Sequence, residues 1–430
     1  MQRSGVRSPS APSRGRREPA PWRFALTPAT EALLLLVRHD AGSGPDDRLL
    51  RLLTGEEVRS ELHSLATRHA VLGTVLGGLH AASLHEPVLA SHGRTLLAQR
   101  PLIRKQAAMW DLQRDRLLRL LDASGLRPVT LKGAALRLTA YADSAQRHFG
   151  DVDLLLPESD IDRAVSSLVA AGYDLGDQEV VARYRREHFH YRLTNPSGFQ
   201  VELHWALLPP GSAMDLSPER LLGRSLTLER PGEPAIRIPS GEDMVLHLAS
   251  QETEDWFSTI RRLVDIDRVV RAEPAFDWAY LRSAAIECRM GPVLGFALQL
   301  SCRLLSTPVP AGFVAGLGLS RAARFHLELL DPVQAVLTGY SRRRATAPRY
   351  LAVWLSPDRP ARWRTLRDIA TDRFDSFTAR TPARAPATPL RSVVILSKLA
   401  TFWIGLYLRR GVAVILQSTP GHRGFWAEER

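Results

Sequence analysis

The spacing of apolar positions divides the chain into stretches of different period. From about Leu26 to Leu121 they recur every three or four residues, as in Glu31-Ala-Leu-Leu-Leu-Leu-Val37, His69-Ala-Val-Leu-Gly-Thr-Val-Leu76 and the run from Met109 to Leu121. That spacing predicts amphipathic helices. The texture breaks at Ser124-Gly-Leu-Arg-Pro128. A short strand is predicted at Val129-Thr-Leu131, followed by Lys132-Gly133 and a helix over Ala134–Tyr141. Val152–Leu156 reads as a second strand, and Pro157-Glu-Ser-Asp160 opens a helix running to Ala171, with Gly172 as its stop. Two alternating runs, Phe189–Leu193 and Phe199–Leu207, flank Asn195-Pro-Ser-Gly198 and read as a β-hairpin. Beyond Ser240 the period is helical again to about Tyr340, and there is no internal repeat.

These periods give an α/β core at 124–240 inserted between helical regions at 25–123 and 241–340. A basic arm (1–24), rich in Ser, Pro, Gly and Arg, is expected to be disordered; a basic, Pro-containing linker (341–392) leads to a last apolar helix and tail (393–430). The 430-residue length suits about two domains, or one core with large helical additions. With 45% apolar and 24% charged residues the chain is neither collagen-like nor wholly disordered. Two cysteines, Cys288 and Cys302, make neither a zinc site alone nor a disulfide scaffold, and a reduced cytoplasmic setting is expected.

The net charge of +12 suggests nucleic acid until it is mapped: residues 1–24 carry +5, residues 341–430 carry +11, and 25–340 carries −4. The basic ends lack interleaved aromatics that would stack on bases, so no specific nucleic-acid binding is expected. No secretory apolar segment follows the basic start. Lysine is rare, with Lys105, Lys132 and Lys398 beside 54 arginines, so each lysine position stands out.

Asp151-Val-Asp153 carries the chemistry. On a strand, residues two apart project to one face, and two adjacent carboxylates repel unless a divalent cation such as Mg²⁺ neutralises them. Two similar patterns, Asp160-Ile-Asp162 and Asp265-Ile-Asp267, fall in helical stretches where such residues diverge. Glu202, in Val201-Glu-Leu-His-Trp205, shares a strand face with His204 and supplies a third carboxylate, the set that two-metal phosphoryl transfer uses. Lys132-Gly133, between a strand and a helix, suits phosphate near backbone amides, and Arg147 is placed to reach the same anion.

Taken in order, Leu131-Lys-Gly133, Tyr141, Arg147, Asp151-Val-Asp153 and Val201-Glu-Leu-His-Trp205 resemble the uncharacterised nucleotidyltransferase family of bacteria, a branch of the polymerase-β-like superfamily. His69-Ala-Val71 and Leu263-Val-Asp265 look like further family features, and the resemblance covers about residues 25–340. It implies an α+β fold, a small mixed sheet with flanking helices. Asp151 and Asp153 would be metal-binding carboxylates, with Glu202 matching the third acid. Where the superfamily places Gly-Ser on the phosphate turn, this chain has Lys-Gly.

The expected activity is transfer of a nucleoside monophosphate from an NTP, ATP foremost, to a hydroxyl or phosphate acceptor with release of pyrophosphate. Two Mg²⁺ or Mn²⁺ ions would sit on Asp151, Asp153 and Glu202; Lys132, Gly133 and Arg147 would bind the triphosphate. The acceptor is a small molecule, peptide or protein that the sequence does not identify. Alternatives are an Asp-x-Asp glycosyltransferase using a nucleotide-sugar, which gives no role to Lys132-Gly133 or Glu202, and a non-catalytic nucleotide-binding module. His188 and His190 share a strand face but lack a third histidine or cysteine spaced to complete a site, and read as a sheet-facing polar pair. No P-loop and no Gly-x-Ser-x-Gly elbow is present. Val393–Leu416 is apolar but interrupted by Lys398 and Arg409-Arg410, too short to span a bilayer. It reads as a helix docked on the body, with weak peripheral contact to a membrane surface as the second reading.

Overall fold

The computed structural model describes residues 26–38, 47–82, 92–177, 181–182, 184–185, 188–255, 257–330, 333, 336–337, 347–370 and 389–408. The expected arm at 1–24 and the tail beyond Leu408 lie outside the described residues.

Among the described residues the first elements are helices α1 (Pro28–Arg38), α2 (Asp47–Leu53), α3 (Glu56–Arg68), α4 (Leu72–Ala81) and the long α5 (His92–Ala123). The central unit follows in the order β1 (Val129–Thr130), α6 (Lys132–Thr139), β2 (Asp151–Leu155), α7 (Ile161–Ala170), β3 (His190–Thr194), β4 (Gln200–His204), α8 (Pro218–Gly223), β5 (Leu226–Leu228) and β6 (Ile236–Ile238). Helices α9 (Gly241–Asp255), α10 (Arg261–Ala272), α11 (Trp278–Glu287), α12 (Gly291–Leu305) and α13 (Arg321–Glu328) then resume the helical pattern. The architecture is α+β, as expected: one six-stranded mixed sheet with helices on both sides in sequence.

The sheet runs β3-β4-β2-β1-β6-β5. β2 and β4 are parallel, as are β1 and β6, while β1–β2, β3–β4 and β5–β6 are antiparallel. One face of the β2–β4 pair carries Val152, Leu154, Val201 and Leu203, each 0% exposed. The hairpin register is set by its turn. Asn195 Oδ1 accepts from the backbone N–H groups of Ser197 and Phe199, Gly198 adopts φ +81°, and Thr194 pairs with Gln200. The β5–β6 hairpin has no counterpart in the sequence-based reading, because its three-residue strands are too short to show a period.

The helices before the sheet position its entry. The chain enters β2 through a 3₁₀ turn (Ser144–Gln146) capped by Asp143, and α4 packs directly on that turn. Thr74 Oγ1 donates to Gln146 O at 3.0 Å, and a Cβ at Gly73 would collide with Ala145 O, so only glycine permits this approach. One continuous core joins Leu33 and Leu36 of α1, the sheet, and Leu294 and Leu298 of α12.

The stretch expected as a linker is helical in part: α14 (Ala347–Leu355) and α15 (Arg359–Ala370) form there, because Tyr350, Leu351 and Leu355 have apolar partners in the main core. The C-terminal helix α16 (Pro389–Leu406) docks on the body, with Leu399 and Leu406 buried in that core and Ile395 packed in a small cluster with Val353 and Ile369. The part of the expected segment beyond Leu408 lies outside the described residues. No helix among the described residues is long and apolar enough to cross a membrane.

Candidate functional site

The face of the sheet opposite Val152 and Leu203 is polar. Parallel pairing puts Asp153 opposite Glu202 and Asp151 opposite Gln200, and antiparallel pairing puts Arg192 opposite Glu202 and His190 opposite His204. Since paired residues project the same way, Asp151, Asp153, Glu202, His204, His190 and Arg192 share one surface. The three acids singled out in the sequence therefore meet across two neighbouring strands.

Their surroundings differ. Asp153 is 3% exposed, and its Oδ1 accepts from Lys132 Nζ at 2.7 Å and from His204 Nε2 at 3.1 Å. Burial opposes its charge, but the lysine and the histidine outweigh that and hold its carboxyl below the usual range. Glu202, 5% exposed, takes Nη2 and Nε of Arg192 on Oε1 at 2.6 and 3.0 Å, with His204 Nε2 3.5 Å from Oε2. Burial alone would raise its proton affinity, yet His204 and the surrounding cations pull it far below the carboxylate range. Asp151 is different. Among the described residues no ion pair or hydrogen bond reaches its carboxylate, and burial, then the charges of Asp153 and Glu202, push its pKa up to about 6. A divalent cation fits here: two acids are already compensated, while the third is partly open and electrostatically strained.

Lys132 begins α6 with φ +46°, a left-handed conformation uncommon for a residue with a side chain. It turns the chain sharply out of β1, while Leu131 N–H still bonds Asp153 O at 2.9 Å. Gly133 has a reason other than phosphate approach. A Cβ there would lie 2.8 Å from Phe149 Cβ and 3.1 Å from Arg147 Nη1, so glycine lets α6 seat against the segment entering β2.

Arg147 is not placed to meet an anion. Its Nε donates to both oxygens of Asp265 at 2.8 and 3.0 Å, its Nη2 donates to Oδ2 at 2.9 Å, and its Nη1 donates to His148 O. Tyr141 Oη donates to the same Asp265 at 2.6 Å. The guanidinium is thus committed on all three nitrogens to a buried cluster with α10. Tyr141, Arg147 and Asp265, separate in the sequence, are brought together to anchor the approach to β2. Leu263-Val-Asp265 stands out in the sequence as a family feature, but no local signal points from Asp265 to a partner 118 residues away.

Two histidines were undervalued. His190 pairs across the hairpin with His204, so the third histidine that seemed lacking is its cross-strand neighbour; counting back from the Asn195-Pro-Ser-Gly198 turn would have found it. Burial, then the charge of His204, lowers His190 to about 3, whereas hydrogen bonds to Asp153 and Glu202 raise His204 against its burial. His188 instead stacks on Tyr184 with ring centroids 4.0 Å apart. On α9, His247 is 1% exposed with no hydrogen-bond partner on either ring nitrogen among the described residues, and it feels Lys132, His204 and Asp153 electrostatically.

A cavity of about 220 Å³ lies between Leu208–Met214 and helices α14 and α15, and none of the polar-face residues lines it. The acidic face is therefore a separate place from the apolar cavity.

No curated protein and no solved structure matches the chain. The family described as uncharacterised nucleotidyltransferase does match, over residues 56–306. That span starts at α3 and ends at the close of α12, so it contains the whole sheet, the acidic face and the Asp265 anchor. With more than half its length inside that match, including every element that builds the polar face, the chain belongs to the uncharacterised nucleotidyltransferase family.

Proposed function

We propose that the protein transfers a nucleoside monophosphate from an NTP, ATP foremost, to a hydroxyl or phosphate acceptor on a small molecule, peptide or protein, releasing pyrophosphate. Family membership supports nucleotidyl transfer in general. The observation that carries the finer reading is the convergence of Asp151, Asp153 and Glu202 on one sheet face, with Asp151 lacking a cation of its own. Asp151, Asp153 and Glu202 would hold Mg²⁺ or Mn²⁺, which when bound supplies Lewis-acid stabilisation of phosphoryl charge.

The chain's own groups divide the remaining work. Lys132 holds Asp153 in place and carries a positive charge at the start of α6 for the triphosphate. Arg192, 46% exposed and bound to Glu202, adds a second cation at the rim. Glu202, held ionised far below its ordinary pKa, acts as an anionic anchor rather than a proton acceptor. Asp151, the acid without a cation of its own and raised to about 6 by burial and by the charges of Asp153 and Glu202, is the one that a bound ion would relieve most. Arg147 acts at one remove, by fixing the segment that enters β2.

Incubating the purified protein with each α-labelled NTP plus Mg²⁺ or Mn²⁺, alone and with cell extract, tests the proposal. Pyrophosphate release with transfer of label supports it. Tight ATP binding without turnover in any extract means a nucleotide-binding module instead. Release of a nucleoside diphosphate from a nucleotide-sugar means glycosyl transfer.

A further inference from the structure

The polar face is not uniform in its donor atoms. Toward β2 it offers only carboxylate oxygens; toward β3 it offers two imidazoles flanking Glu202. His190 and His204 occupy directly paired positions on β3 and β4, with ring centroids 4.8 Å apart, and Glu202 lies two residues before His204 on the same face. His190 Nε2 is 3.7 Å from Glu202 Oε1 and His204 Nε2 is 3.5 Å from Oε2. One ligand atom from each of the three residues falls within a 4.8 Å set. Donors at the corners of a tetrahedron with bonds of about 2.1 Å stand about 3.4 Å apart, so each imidazole already stands near that spacing from one oxygen of Glu202, His190 from Oε1 and His204 from Oε2.

The second observation is unused hydrogen-bonding capacity. Among the described residues Nδ1 of His190 and Nδ1 of His204 are buried without a hydrogen-bond partner, and His190 Nε2 stands 3.7 Å from Glu202 Oε1, beyond hydrogen-bond distance. Buried imidazoles of a structural kind satisfy at least one ring nitrogen; His204 does so through Nε2 and Asp153, and His190 does not. A fourth donor is at hand, since Asp153 Oδ1 already lies 3.1 Å from His204 Nε2.

We propose that His190, Glu202 and His204 form a nitrogen-bearing metal position that takes a first-row transition ion, Zn²⁺ or Mn²⁺, in preference to Mg²⁺. Imidazole nitrogen suits these borderline ions, whereas Mg²⁺ prefers an all-oxygen octahedron. The hairpin fixed by Asn195 makes the two histidines a rigid pair, and Arg192, bound to Glu202 Oε1, competes with the ion. The position shares Glu202 with the proposed reaction centre but does not rest on that reading, because it is tested without nucleotide.

The test titrates the chelator-treated full chain with Zn²⁺ in excess Mg²⁺, and records nitrogen hyperfine coupling to bound Mn²⁺ by pulsed electron paramagnetic resonance. The expected result is one Zn²⁺ per chain that Mg²⁺ does not displace, with ¹⁴N coupling in the Mn²⁺ form. His190→Gln, at a side chain 15% exposed and so tolerant of change, should weaken Zn²⁺ about 100-fold and diminish the coupling. His188→Gln should alter neither, and Arg192→Gln should tighten binding. Zn²⁺ affinity unchanged in a folded His190→Gln protein, or no nitrogen coupling at any Mn²⁺ bound up to saturation, would overturn the proposal. Absence of pyrophosphate release with all of this intact would count against nucleotidyl transfer and not against the metal position.

Discussion

Replacing Asp151 by Asn should make the metal-free protein more stable while abolishing turnover. The reasoning starts from a carboxyl whose pKa rises from 3.8 to about 6 on folding. Such a group is penalised when charged. Above pH 6 the whole penalty is present; below 3.8 both states are protonated and it vanishes. A rise of about two units corresponds to at most ~3 kcal/mol, and water reaching this partly exposed side chain reduces the expected gain to about 1–2 kcal/mol. Urea unfolding followed by tryptophan fluorescence, after chelator treatment, measures it as a midpoint shift at unchanged slope. The advantage of Asn should be full at pH 8 and shrink steadily toward pH 4. Added Mn²⁺ should then stabilise the wild type more than the variant, closing the gap. An Asn variant with an equal or lower midpoint at pH 8, or a difference that ignores pH, would refute the account of Asp151 as a strained, uncompensated acid.

Arg147→Met should destabilise the fold by about 3–5 kcal/mol, because it strands the Asp265 carboxylate at 0% exposure; nucleotide affinity of the folded fraction should change little. A large loss of affinity with normal stability would return Arg147 to the binding site. His69 and His247, 0% and 1% exposed, are held neutral in the fold by burial, His69 lowered to about 4 and His247 lowered well below its ordinary value, so stability should fall as pH drops below 6.5. By pH 5 His69 contributes about 2 kcal/mol of that loss, and His247→Leu should flatten the curve measured by thermal melts at several pH values. Glu202→Gln should lower the rate at saturating nucleotide more than it raises the nucleotide Kd; the reverse pattern in steady-state kinetics would make Glu202 a ground-state contact. Deleting α16 should leave nucleotide binding intact but lower solubility, since Leu399 and Leu406 leave a bared apolar surface, as binding and light-scattering measurements would show.

Local period made most of the sheet's inner strands readable. The alternation of Val201-Glu-Leu-His-Trp205 and the run after Asp153 fell on real strands, and the Asn195 turn fixed the hairpin where it was expected. Period says nothing about which strands neighbour each other, so the register Asp153–Glu202 and the pairing of His190 with His204 emerged only from the fold. The packing roles of Gly133 and Arg147 were hidden for the same reason. Gly133 answers to Phe149, and Arg147 to a carboxylate on α10, both matters of long-range packing. Composition misled at the C-terminal side, where Arg- and Pro-rich sequence conceals the helices α14 and α15.

The buried meeting of Tyr141, Arg147 and Asp265 also bears on how the protein is made. Every strand of the acidic face has left the ribosome once Glu202 has, but the carboxylate that locks the entry to β2 comes about sixty residues later. At about 5–20 residues per second that is a wait of about 3–13 s, during which a guanidinium and a phenol destined for the interior have no partner. A fragment ending at residue 240 would lack Asp265 altogether and leave Tyr141 and Arg147 without that carboxylate.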